Sequence, residues 1–190
     1  MWFNEKNFLT DIDFKKLNTS TLNFYTHARE ECDNGRYKQQ PAVQKAKRVR
    51  CWVKNKEDAE EDSLKFFGDE YAVPLQRIRN FYKDIGFKNI KLHNAWIQYG
   101  DRDTIIDNHV DGAIRGADID KCFTSLLFCH EYWDDSWGGT FHVTEDESDV
   151  IISPTPNSFV TWTRDTPHMM SRIISDCPLR IFLGTSWYEK

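Results

Sequence analysis

The hydrophobic pattern changes character near residue 88. Before that point, Pro74 suits a first helical turn, and LQRIRNFYKDIG follows it, with Leu75, Ile78, Phe81, Tyr82 and Ile85 on one stripe ahead of Gly86. That spacing predicts an amphipathic helix. Residues 28 to 68 are polar, carry turn signals at Asp33-Asn34-Gly35 and Phe67-Gly68, and read as mixed helix and loop, with a lid over a site as one candidate role. After residue 88 the chain becomes a series of short β-prone runs: IKLHNAWIQYG, CFTSLLFCHEYW, GTFHVT, VIIS, SFVTWT and RIFLGTSWY. Gly, Asp, Pro and Asn separate them, as expected of a sandwich or barrel. The expectation is a mainly β fold with N-terminal helices. One domain would span 1–190, with a mostly helical layer (1–87) packed on a double-stranded β-helix, or jelly roll (88–190).

Length and composition narrow the class. With 190 residues, 39% of them hydrophobic, the chain suffices for one well-buried core and not comfortably for two. Its apolar runs fall short of the roughly 20 residues needed to span a membrane. The N-terminal MWFNEKNFLTDIDFKKL lacks the basic-then-apolar order of a secretory signal, so a cytoplasmic location is expected. Five cysteines, an odd number with no Cys-x-x-Cys pair, suggest neither a disulfide framework nor a thiolate zinc site. A net charge of −5 argues against a dedicated nucleic-acid surface. The basic KAKRVR at 45–50 lies close to the acidic EDAEED at 57–62, which fits a solvated face of mixed charge.

One short motif carries chemistry. Mononuclear iron that activates oxygen is commonly held by two His and one carboxylate, leaving other positions open. His109-Val110-Asp111 offers two such ligands, and in an extended segment that spacing puts both side chains on one side. Alone the pair is weak, because about one His-x-acid match is expected by chance in a chain of this composition. His168 comes at the end of the predicted strand SFVTWT, and Arg180 opens the last β-prone run. A guanidinium suits the far end of a dicarboxylate because its fork binds a carboxylate bidentately and keeps its charge.

From Tyr99 to Lys190 the chain resembles the prolyl-hydroxylase-like branch of the iron(II)/2-oxoglutarate dioxygenases. The likeness lies in the order NHVDG, KCFTSLLFCHEYW, WGGTFHV, PTPNSFVTWT, PHMM and LRIFLGTSWY. It implies that His109, Asp111 and His168 bind Fe(II), that Arg180 holds the 5-carboxylate of 2-oxoglutarate, and that Tyr99 helps line the co-substrate pocket. It further implies O2 as reactant, ascorbate as a candidate reductant, and hydroxylation of a C–H bond, with a prolyl residue in a protein or peptide as the leading substrate. There are two departures from the pattern. Phe128 stands where some members have a second pocket tyrosine, and Thr140 stands after Gly138-Gly139 where an acid is frequent.

Other readings compete. A free amino acid or small molecule would also suit such an enzyme. Base-modifying relatives carry a second Arg six residues after the first, but position 186 is Ser. A non-catalytic jelly roll would not need both the triad and Arg180, and sugar-binding cupins bring a His-x-His pair that this chain lacks. His27, His93, His130 and His142 have no carboxylate at the same spacing and read as ordinary hydrogen-bonded histidines. Among the seven Trp, Trp162 is of interest because it shortly precedes His168.

Overall fold

The structure is a computed structural model, and it describes residues 1–33, 43–44, 47–50, 59–145 and 148–190. The first helix starts where Thr10 Oγ1 accepts the amide of Asp13 at 3.2 Å and donates to the Asp13 carboxylate at 2.7 Å, satisfying a donor at the helix end. This helix, α1 (Asp11–Asn23), is followed by α2 (Tyr25–Asp33), α3 (Ala59–Phe67) and α4 (Ala72–Asp84). The stripe read from the sequence is realised in α4, with Pro74, Leu75, Ile78 and Tyr82 buried. Pro74 sits within the first turn, where its missing N–H costs nothing. Burying each of these larger apolar side chains contributes roughly 1.5–3 kcal/mol.

The strands in chain order are β1 (Trp2–Glu5), β2 (Val43–Gln44), β3 (Lys47–Arg50), β4 (Ile90–Gly100), β5 (Ile105–His109) and β6 (Cys122–Phe128). They continue with β7 (Phe141–Glu145), β8 (Ser148–Ile152), β9 (Phe159–Thr163), β10 (His168–Met170) and β11 (Arg180–Glu189). A six-stranded sheet runs β1-β9-β6-β11-β4-β3 and a five-stranded sheet runs β2-β5-β10-β7-β8, with antiparallel pairing throughout. The helices cover the outer face of the larger sheet, where Leu17, Tyr71, Leu75 and Ile78 meet Ile97, Leu127, Leu183 and Trp187. Between the sheets a second core holds Trp96, Leu126, Phe128, Phe141, Val160, Trp162 and Phe182. Helices on a two-sheet jelly roll match the expected fold class.

Several boundaries differ from the sequence reading. Residues 1–87 are not only helical, because β1 and β3 extend the larger sheet and β2 extends the smaller. The run CFTSLLFCHEYW leaves the sheet after Phe128. β5 and β10 are too short to show an alternating pattern. Of the segment read as mixed helix and loop, α2 and α3 provide the helices, whereas 34–42, 45–46 and 51–58 lie outside the described residues.

Candidate metal centre

The site lies at the mouth of the space between the sheets. His109 is the last residue of β5 and pairs in register with His168, the first of β10. His168 therefore does not end the strand SFVTWT, as the sequence suggests. A turn at 164–167 carries the chain from the larger sheet into the smaller one and delivers His168 there. Asp111 lies just beyond the end of β5, so loop geometry rather than strand alternation brings its carboxylate round to the two imidazoles.

The donors converge. His109 Nε2 lies 3.8 Å from Asp111 Oδ1, and His168 Nε2 lies 3.9 Å from Asp111 Oδ2. All three ligand atoms fall within 4.8 Å of one another. Two metal–ligand bonds of about 2.1 Å sum to about 4.2 Å, so each His–Asp pair is close enough to share one ion. Both imidazoles are fixed in the same way. His109 Nδ1 contacts the Asp107 carbonyl at 2.8 Å, and His168 Nδ1 contacts that of Thr166 at 2.9 Å. A carbonyl only accepts, so each Nδ1 carries the proton and each Nε2 keeps a lone pair toward the centre. Burial pushes His168 down to about 4 against the pull of nearby Asp111, which keeps its ring neutral and able to ligate.

The centre opens on a cavity of about 250 Å³. A row of residues in register across four strands of the larger sheet, Trp162, Thr124, Ser186 and Asn94, lines it. The Trp162 ring lies 4.6 Å from His168, and its buried Nε1–H has no hydrogen-bond partner among the described residues. Arg48 also lines the cavity, donating to Gln98 and lying over the Trp96 ring at 5.5 Å. Trp96 in turn lies across Gly184, where a Cβ would come within 2.2 Å of the indole, so the backbone of β11 needs glycine there.

Arg180 and Tyr99 fare differently. Arg180 shares the inward face of β11 with Phe182 and Ser186, is 1% exposed, and stacks on Phe128 at 4.8 Å and Phe182 at 5.4 Å. Its Nε and Nη2 have no hydrogen-bond partner among the described residues, and burial pushes its guanidinium down to about 9. Gly139 makes room for it: at φ +69, a Cβ there would lie 3.2 Å from Arg180 Cδ. Phe128 thus meets Arg180 through its ring, where a tyrosine would offer a hydroxyl. Tyr99 sits on the opposite face of β4, turned toward the helices. Its hydroxyl donates to the Thr21 carbonyl and its ring packs edge-on to Tyr25 at 5.2 Å. The expectation that it lines the pocket fails because strand alternation gives the cavity side to Asn94 and Trp96. Thr140 bonds Ser171 and His142.

No protein-family model matches the chain, and no curated protein sequence matches it either. Solved structures do superpose on it. A Pseudomonas putida prolyl-4-hydroxylase aligns over 100% of this chain and 92% of its own, with a TM-score of 0.61 at 14% identity. A Trichoplax adhaerens prolyl hydroxylase, in complex with a peptide fragment of the hypoxia inducible factor oxygen degradation domain, covers 99% and 83%, with a TM-score of 0.65 at 15% identity. A non-heme alpha-ketoglutarate-dependent carbocyclase from nogalamycin biosynthesis covers 99% and 79%, with a TM-score of 0.67 at 10% identity.

The fold is that of the 2-oxoglutarate/iron(II) oxygenases. Within this oxygenase fold the His109–Asp111–His168 cluster has the composition of a facial triad, two His and one carboxylate on one side of a centre. Arg180 fits a carboxylate ligand, since a buried cation with unfilled donors is costly until an anion arrives. Arg164, Thr124 and Arg48 were not singled out from the sequence. Arg164 and Thr124 lie inside a turn and a uniformly β-prone run, and Arg48 lies in a basic stretch that resembles solvated surface.

Proposed function

We propose that this chain is an Fe(II)- and 2-oxoglutarate-dependent dioxygenase that hydroxylates a C–H bond. The observation that carries the reading is the convergence of His109, Asp111 and His168 at a cavity mouth. His109, Asp111 and His168 would hold the iron, and Arg180 would hold the far carboxylate of 2-oxoglutarate through its unfilled nitrogens. When bound, iron with 2-oxoglutarate and O2 supplies the oxidising power: the co-substrate loses CO2 to become succinate, and one oxygen atom enters the substrate C–H bond.

The chain's own groups perform the rest. The Nδ1–H bonds to Asp107 and Thr166 keep both rings aimed, and Phe128 and Phe182 exclude water around Arg180, which strengthens its grip on an anion. Val110, 52% exposed between two of the proposed ligands, offers an apolar contact to a substrate entering at the mouth. A prolyl residue in a peptide is the substrate favoured by the prolyl hydroxylases among the similar structures. The carbocyclase, which superposes as well, makes a small molecule the second reading.

An anaerobic titration of apoprotein with Fe(II) and then 2-oxoglutarate tests the cofactor reading. A visible charge-transfer band should appear on the second addition, and its absence would return the chain to a non-catalytic jelly roll. Mass spectrometry for an added oxygen on proline-containing peptides against free amino acids then separates the substrate readings.

A further inference from the structure

The metal reading leaves one question about Asp111, which lies beyond the end of β5 and has no strand to hold it. Arg164 takes that part. Its Nε donates to the Gly112 carbonyl at 2.7 Å and its Nη2 to the Asp111 carbonyl at 3.0 Å. The backbone closes the same loop from the other side, with the Asp111 amide donating to the Arg164 carbonyl at 3.0 Å. Nη1 then reaches across to the larger sheet, donating to Ser186 Oγ at 2.8 Å and to Thr124 Oγ1 at 3.1 Å. Finally Thr124 Oγ1 donates to Asp111 Oδ2 at 2.6 Å.

The direction of this chain is set by chemistry. A guanidinium can only donate, and an ionised carboxylate can only accept. Thr124 must therefore receive from Arg164 and give its single hydroxyl proton to Asp111. One carboxylate oxygen, Oδ2, is thereby engaged by the sheet.

We infer that Arg164, acting through Thr124, is the positioning residue that fixes the Asp111 carboxylate facing the two imidazoles for the metal. This rests on the metal reading above and adds a requirement to it: the turn that delivers His168 also sets the carboxylate ligand. Lysine could not replace Arg164, because one ammonium on a flexible stem cannot serve two loop carbonyls and a hydroxyl in fixed directions.

The test is equilibrium titration of the apoprotein with Co(II), read by its visible absorption at a temperature where every variant is folded. Thr124→Val and Arg164→Met should each weaken Co(II) binding about 10- to 100-fold, the usual scale for groups that orient a metal ligand. Thr124→Ser should restore wild-type binding. The double variant should bind no more weakly than the worse single one, since the two groups form one relay. Thr124→Val binding Co(II) as tightly as wild type would overturn the inference, as would Val and Ser variants that lose affinity equally. So would losses that multiply in the double variant. Should Arg164→Met fail to fold, the Thr124 pair decides alone. A wild-type protein that does not bind Co(II) at all would instead overturn the metal reading, a result distinct from any of these.

Discussion

The two ends of the inter-sheet space are built on opposite principles. At the metal end the three ligand side chains and Arg164 come already engaged, Trp162 Nε1 alongside them excepted: both Nδ1 atoms have carbonyls, Thr124 holds Asp111, and Arg164 makes four donor contacts. At the other end Arg180 is buried between two phenylalanine rings with two nitrogens unfilled among the described residues. The first arrangement orients donors in advance for a cation, with the desolvation already compensated. The second stores an unpaired charge whose cost is recovered when an anion binds.

Breaking the metal end should have the largest effect. Asp111→Ala is expected to remove both the charge-transfer band and 2-oxoglutarate turnover, and a fully active variant would refute the site. Next comes Arg180→Met. Truncating one member of a buried charge pair costs about 2–5 kcal/mol, so the 2-oxoglutarate half-saturation concentration should rise at least about 30-fold while Fe(II) binding stays as it was. The same variant sharpens the contrast in the opposite sense. Without ligand, Arg180→Met should be more stable than wild type by about 1–3 kcal/mol in chemical denaturation, because it removes donors that the fold leaves unfilled.

The pH dependence of that gap has a definite sign. Burial lowers the folded value of Arg180 from the much higher range of a free guanidinium to about 9. Between those values the unfolded chain binds the extra proton, so wild-type stability gains on the variant as pH rises through 9. The penalty is fully present below pH 9, and a gap that stays constant from pH 8 to 11 would contradict the burial of an unpaired guanidinium. The smallest effect belongs to Tyr99→Phe, which should cost about 0.5–1.5 kcal/mol, because the Thr21 carbonyl loses the hydroxyl but keeps the Phe24 amide as donor. It should not alter the half-saturation for 2-oxoglutarate; a shift like that of Arg180→Met would put Tyr99 back beside the co-substrate.

The parts legible in the sequence are those with long periodic signals or a rare residue pattern. β4 spans the run read for it, Ile90–Gly100, and α4 buries the stripe read for it. His109, Asp111 and His168 were recoverable because their order along the chain is specific even though each alone is common. Tyr99 was misplaced because a strand buried on both faces gives no alternation to say which side a residue takes. β10 is three residues long and shows no period at all. Arg164 and Thr124 were invisible for a different reason: their role exists only once the turn at 164–167 brings two sheets together.

That turn has a consequence for what changes in length the protein can absorb. It links β9 in one sheet to β10 in the other while carrying Arg164 at its start and delivering His168 at its end. Surface loops generally accept insertions at little thermodynamic cost. Here a single added residue would shift the register of β10 by one and turn His168 to the far face of its sheet. The stretch from Thr163 to His168 should therefore behave as a fixed-length spacer, in which substitutions at the exposed Asp165 or Pro167 are tolerated and insertions or deletions are not.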